Sequence, residues 1–182
     1  MSKSQIATGG IADDAVTSAK TELGLITMVD QFRLTADVTG TNADITSNLE
    51  RIDTPTTPLI GSGVTNSSGI FSFPSTGIYL IIVNAMFSNP NTTSSIDGQC
   101  GVLTKVTIDN SSYTERARAF GGFDGTTNDR ISSGASSLLL DVTDTSNVKC
   151  KFTTTTLNSD SALQGNTDAN RTSFLFIRLG DT

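Results

Sequence analysis

Residues 78–87 constrain the fold more than any other segment, because nine of these ten residues (IYLIIVNAMF) are apolar. Isoleucine, valine, tyrosine and phenylalanine favour β-strands. A strand with apolar residues on both faces lies in the middle of a β-sandwich, or packs one face on the core and the other on a second subunit. The segment is shorter than the ~20 residues that a membrane-spanning helix needs, so a membrane partner is not expected.

The composition predicts many strands joined by tight turns. The chain contains 29 Thr, 22 Ser, 12 Asn and 16 Gly among 182 residues. Thr favours pleated surfaces, whereas Ser, Asn and Gly favour turns. We therefore predict an all-β jelly-roll sandwich of eight to ten antiparallel strands. The clearest predicted strands are residues 31–38, 78–87, 99–108, 113–120, 135–142, 147–155 and 172–179.

The first 25 residues differ from the rest of the chain. Their apolar residues recur at a spacing near four, which fits a short amphipathic helix or an extended arm that binds a neighbouring body. Both interpretations stay open, and we divide the chain into an attachment segment, residues 1–25, and a jelly-roll domain, residues 26–182. The residues expected to make the attachment are Ile11, Ala15, Val16, Ala19 and Leu23.

Residues 69–81 (GIFSFPSTGIYLI) resemble the "G-x-F-x-F-P-x-x-G-x-Y" signature of the tumour-necrosis-factor (TNF) and complement globular-head superfamily. Residues 172–179 are similar to the last strand of that family. The resemblance implies a ten-stranded jelly roll assembled as a homotrimer, with the last strand near the threefold axis. The two-sided apolar strands independently indicate an oligomer. The predicted trimer-interface residues are Tyr79, Ile81, Val83, Phe174, Phe176 and Leu179.

Residues 9–20 (GGIADDAVTSAK) resemble segments that are common in bacteriophage fibres and other virion surface proteins. The first residues lack the charged and apolar regions of a secretory signal peptide. Together these features predict a virion protein that assembles in the host cytoplasm and whose partners include a capsid or tail protein.

The residues available for chemistry are few. The chain contains no His, which excludes His-based catalysis and His-containing metal sites. Cys100 and Cys150 are expected to face inward as free thiols, with a disulfide as the alternative. We predict no enzyme activity and no cofactor, although calcium bound by the acidic loops 122–129 or 141–145 is an alternative.

The charge pattern limits the possible partners. The net charge of −6 argues against a nucleic-acid partner. Two basic features stand out: Arg116 with Arg118, and Lys149 with Lys151. Each pair is interpreted as part of a solvated sheet face.

Three functions follow for this fold. The first is a non-enzymatic structural protein on the exterior of a tailed-phage virion, as a capsid decoration protein or head fibre. The second is the receptor-binding tip of a tail fibre, which would use loops 88–98 and 120–134 to bind a host glycan or protein. The third is an extracellular TNF-like signalling trimer, which the missing signal peptide disfavours.

Overall fold

The computed structural model describes residues 26–40, 43–53, 59–89, 98–123, 130–158 and 160–182. These residues form two antiparallel sheets, without a helix in the described ranges. The strands are β1 (Met28–Leu34), β2 (Val38–Thr39), β3 (Leu49–Arg51), β4 (Thr65–Ser67), β5 (Ile70–Ser72), β6 (Gly77–Asn89), β7 (Cys100–Thr107), β8 (Thr114–Gly121), β9 (Arg130–Val142), β10 (Lys149–Thr155), β11 (Ala162–Leu163) and β12 (Ser173–Gly180).

The strand with apolar residues on both faces lies in the middle of the larger sheet. This seven-stranded sheet has the order β2-β11-β6-β12-β1-β3, and β9 pairs with the other edge of β6. The β6–β9 pairing runs from Gly77 and Val142 to Asn89 and Arg130. The smaller sheet has five strands in the order β4-β5-β10-β7-β8. The predicted central position of β6 is confirmed.

Aromatic side chains fill the space between the two sheets. Phe152 of the five-stranded sheet stacks on Phe174 of the seven-stranded sheet, with ring centroids 4.1 Å apart. The ring centroids of Phe71, in the five-stranded sheet, and Phe176, in the seven-stranded sheet, are 5.1 Å apart. All four rings are fully buried, and such pairs stabilise a core beyond the apolar area that they bury. These contacts hold the two sheets together.

The first strand begins and ends earlier than the predicted residues 31–38. β1 ends at Leu34, and Ala36 is exposed instead of sharing the inner face with Phe32 and Leu34. The chain turns here because the Asp37 carboxylate accepts a hydrogen bond from the N–H of Gly165, at 2.9 Å. A Cβ atom on Gly165 would lie 2.4 Å from the backbone of Ala36, so only glycine permits this close approach.

An ion pair between the buried Asp30 and Arg51, whose side chain is 41% exposed, ties the edge of the seven-stranded sheet to the following loop. The Asp30 side chain is fully buried, and both of its oxygens accept hydrogen bonds from Arg51, at 2.9 and 3.1 Å. The N–H of Val64 donates a further bond to Asp30 at 2.8 Å. The Arg51 guanidinium also lies over the ring of Phe32. A charged group is stable in the core only when it is paired and hydrogen-bonded in this way.

Candidate interaction surfaces

The outward face of the seven-stranded sheet carries a row of apolar side chains across four strands. Val29 of β1 pairs with Ile177 of β12, Ile177 pairs with Leu80 of β6, and Leu80 pairs with Leu139 of β9. We call these four residues the apolar row. Leu139 is 65% exposed, and the other three are partly exposed. Leu175 and Ile82, which are paired on the same face, extend the row.

The predicted trimer-interface residues occupy the opposite face of the same strands. Tyr79, Ile81, Val83, Phe174 and Phe176 are each exposed by 1% or less, because they face the five-stranded sheet of their own chain. They therefore lie in the core of their own chain and not on its surface, and a role for them in the trimer contact stays a prediction. Leu179, which is 41% exposed, is the one predicted interface residue on the surface.

A cleft lies beside the apolar row at the far end of β6 and β9. Its volume is about 560 Å³, and Asn84, Met86, Ile131 and Ala135 contribute to its walls. Arg171 lies at the same cleft and adds a positive charge. This end of the outward face therefore has an open cleft with both polar and apolar walls.

The outward face of the five-stranded sheet has a different character, because charged side chains dominate it. Lys151 donates to Asp44 at 2.7 Å and lies over the Tyr113 ring, 4.4 Å from its centroid. Partial burial raises the pKa of Asp44, but hydrogen bonds from Lys151 and Thr153 outweigh it, so the net pKa lies below the ordinary value of 3.8. Burial, together with Cys150 and Asp44, raises the pKa of Tyr113.

The predicted attachment residues Ile11, Ala15, Val16, Ala19 and Leu23 lie outside the described residues. Residues 90–97 and 124–129, which belong to the two candidate receptor-binding loops, lie outside them too. The role of these segments therefore stays a prediction.

In the acidic loop at residues 141–145, the carboxylate of Asp144 stabilises the turn. Asp144 accepts hydrogen bonds from the N–H of Ser146 and from the amide of Asn147, both at 2.7 Å. Carboxylates commonly stabilise turns in this way. Within the described ranges, no three Cys, Asp or Glu residues form a group that could hold a metal ion. Most of the other candidate loop, residues 122–129, lies outside those ranges.

The two cysteines are buried and are not joined in a disulfide, as predicted. Cys150 pairs with Val106 in the ladder between β10 and β7, whereas Cys100 pairs with Gly121 of β8. Burial raises the pKa of the Cys150 thiol well above its usual range. Because the thiolate is the reactive form, Cys150 behaves as a small core residue.

Comparison with known proteins places the fold. No protein-family model and no curated protein sequence matches the chain. Among solved structures, the Eiger TNF of S. frugiperda is similar over 87% of this chain and 96% of its own, with a TM-score of 0.64 and 14% identity. Murine APRIL at pH 5.0 is similar over 84% of this chain and 98% of its own, with a TM-score of 0.54 and 12% identity.

The protein has a TNF-like jelly-roll fold. This confirms the predicted all-β class and the resemblance carried by residues 69–81. The turn in that segment explains the sequence pattern, because Gly77 has a φ of 142° and a Cβ atom there would lie 2.5 Å from the carbonyl oxygen of Gly180. The hydroxyl of Tyr79 donates to the carbonyl oxygen of Ser75 at 2.9 Å and closes the same turn. Among the described residues, no helix has the length and apolar character required to cross a membrane.

Proposed function

We propose that this jelly roll is a non-enzymatic structural protein on the exterior of a tailed-phage virion. It assembles as a homotrimer, and residues 1–25 attach it to a capsid or tail protein. Among virion roles, we favour a capsid decoration protein or head fibre, with residues 1–25 as the attachment segment.

The observation that carries the assembly is the apolar row on the outward face of the seven-stranded sheet. Contiguous exposed apolar surface is unusual on a monomer and marks an interaction site. The row crosses β1, β12, β6 and β9, which are the longest strands of the sheet. A second copy of the chain is the simplest partner, because in a closed ring of identical subunits the apolar face of each copy can contact a different surface of its neighbour. The number three comes from the resemblance to the TNF superfamily.

The attachment role depends on the resemblance of residues 9–20 to virion segments. A trimer would present three such arms to the virion surface. Binding through three linked arms raises the effective affinity without any new contact, which suits a protein that remains on the particle.

Sedimentation of the purified full-length protein tests the assembly. At micromolar concentration, we expect a mass three times the 19.1 kDa of the chain. A monomer at that concentration would contradict the trimer.

A cryo-electron microscopy map of the virion that carries this gene tests the location. Density for a compact trimer at capsid lattice points would support a decoration protein or head fibre. Density at the tip of a tail fibre would favour receptor binding instead. A virion without the protein would overturn the proposal.

A further inference from the structure

Basic side chains from three neighbouring strands meet on the outward face of the five-stranded sheet. Lys149 and Lys151 lie on β10, Lys105 lies on the adjacent β7, and Arg118 lies on β8. We call these four residues the basic face. The whole chain has 12 Lys and Arg against 18 Asp and Glu. The basic face is therefore locally positive, whereas the net charge of the whole chain is negative.

Two of these lysines lie directly opposite each other. Lys151 pairs with Lys105 in the antiparallel ladder of β10 and β7. Cβ atoms of such pairs are about 5 Å apart, and like charges in this position are destabilising. A matching pair of opposite charge would have stabilised the sheet. Glu115 lies opposite Lys105 on its other side, and Asp44 interacts with both lysines, so the repulsion is offset only by two carboxylates that the three strands and the adjoining loop supply.

The acidic residues nearby neutralise only part of this charge. Asp44 binds Lys151 at 2.7 Å. Glu115, which is opposite Lys105 in the ladder with β8, forms its ion pair with Arg118 instead. Lys105 is attracted by Asp44 and lies opposite Glu115, but neither Lys105 nor Lys149 has an ion pair within 4 Å or a side-chain hydrogen bond among the described residues. These two ammonium groups have donors available for a ligand.

We propose that the basic face binds an acidic polysaccharide. Lys149 and Lys151 are two residues apart on one strand, so their side chains are about 7 Å apart and follow a straight line. An extended polymer with a carboxylate on each sugar can lie along this line. Ser72 pairs with Lys149 on the neighbouring β5 and has a hydroxyl for the sugar hydroxyls. Four basic residues are too few for the many phosphate contacts that hold a nucleic acid.

This inference rests on the proposed function in one respect: the proposed assembly must leave the outward face of the five-stranded sheet exposed. If the apolar row forms the contact between subunits, the opposite sheet of each subunit faces outward. The basic face would then be presented three times on one particle, which increases the avidity for a repetitive polymer.

The test measures binding of the full-length protein to immobilised alginate, in which every sugar carries a carboxylate, and to neutral dextran. We expect binding to alginate alone, with a loss of at least about tenfold between 0.05 and 0.5 M salt because of charge screening. The double variant Lys105→Gln/Lys151→Gln should lose at least about tenfold in affinity, since it removes the opposed pair. The matched control is Arg171→Gln, which removes one positive charge at the cleft and should bind like the wild type.

A second measurement separates loss of binding from loss of folding. Lys105→Gln removes the repulsion from Lys151 together with the attraction to Asp44 and Glu115, so its melting temperature should stay close to that of the wild type. Equal binding to alginate and dextran would overturn the proposal, as would wild-type affinity in the double variant. Tighter binding to poly-glutamate or to DNA than to alginate would overturn the assignment to a polysaccharide.

Sedimentation of the same samples separates this inference from the proposed assembly. A trimer that does not bind alginate rejects the basic face alone. A monomer that binds alginate rejects the assembly and retains the basic face.

Discussion

The outward faces of the two sheets differ in a way that their sequences explain. β12, with the sequence SFLFIRLG, turns Leu175 and Ile177 outward, whereas β10, with the sequence KCKFTTT, turns Lys149 and Lys151 outward. Antiparallel strands in a sandwich normally alternate between apolar inner and polar outer residues. The five-stranded sheet comes closer to this rule, although Ile70, Leu103 and Phe120 also face outward, and the seven-stranded sheet departs from it along the whole apolar row. The difference is the basis for proposing a separate contact for each sheet.

The largest predicted loss of stability comes from a substitution on the inner face of β12. Phe176 is fully buried, and its ring contacts Phe71 and Phe73. Phe176→Asp should destabilise the fold by at least about 4 kcal/mol, because it leaves a cavity and an unpaired buried carboxylate. Urea unfolding of the purified variant measures this change. A wild-type unfolding midpoint would show that the inner face of β12 is exposed.

The next prediction concerns the outward face of the same sheet. Leu80 lies in the middle of the apolar row, and Leu80→Asp places an unpaired charge there. We expect a folded protein whose sedimenting mass falls from three chains to one at micromolar concentration, because a desolvated, unpaired charge strongly disfavours association. Circular dichroism of the variant should retain the β-sheet signal.

The matched control for Leu80→Asp is Lys149→Asp on the five-stranded sheet. It changes a residue of the opposite outward face and should leave the mass at three chains. If both variants became monomers, or if neither did, the assignment of the subunit contact to the apolar row would be wrong.

Much of the fold could be predicted from the sequence, because the alternation of apolar and polar residues along a strand indicates which residues share a face. It identified the strands of both sheets and the inward position of Cys150. It failed where a strand is apolar on both sides. Residues 78–87 are apolar on both faces, so their sequence does not indicate which face packs against the second sheet. The aromatic side chains that we assigned to the subunit contact lie in the core.

The basic face was missed for a different reason. Lys149 and Lys151 were recognised as one basic feature, but their proximity to Lys105 depends on the order β10-β7-β8. These neighbours are not consecutive in the chain, and strand order is set by the packing of the whole sandwich. The Asp30–Arg51 pair escaped prediction similarly, because 21 residues separate its partners.

A third prediction compares two ion pairs, one from each sheet. Asp30 is fully buried, whereas 39% of the Asp44 side chain is exposed. Arg51→Met leaves a buried carboxylate without its cation and should cost about 3 kcal/mol. Lys151→Met removes the cation beside Asp44 and should cost at most about 1 kcal/mol. Urea unfolding of both variants measures the difference, and equal costs would contradict the contrast in burial.

The smallest predicted effect concerns the dependence of stability on pH. The lowered pKa of Asp44 means that its ionised form is favoured in the folded protein. Its contribution is therefore fully present above the ordinary pKa of 3.8 and is lost as the pH falls through the lower pKa of the folded state. Because more than a third of the Asp44 side chain is exposed, solvent screening keeps this contribution below about 1 kcal/mol.

Asp44→Asn removes the titrating group and tests this dependence. The variant should be slightly less stable than the wild type at pH 7, and the difference should shrink as the pH approaches 3, because the carboxylate of the wild type then becomes protonated. Urea unfolding at both pH values measures the difference. A gap that stays constant or widens towards pH 3 would show that Lys151 and Thr153 stabilise Asp44 through contacts that do not depend on its charge.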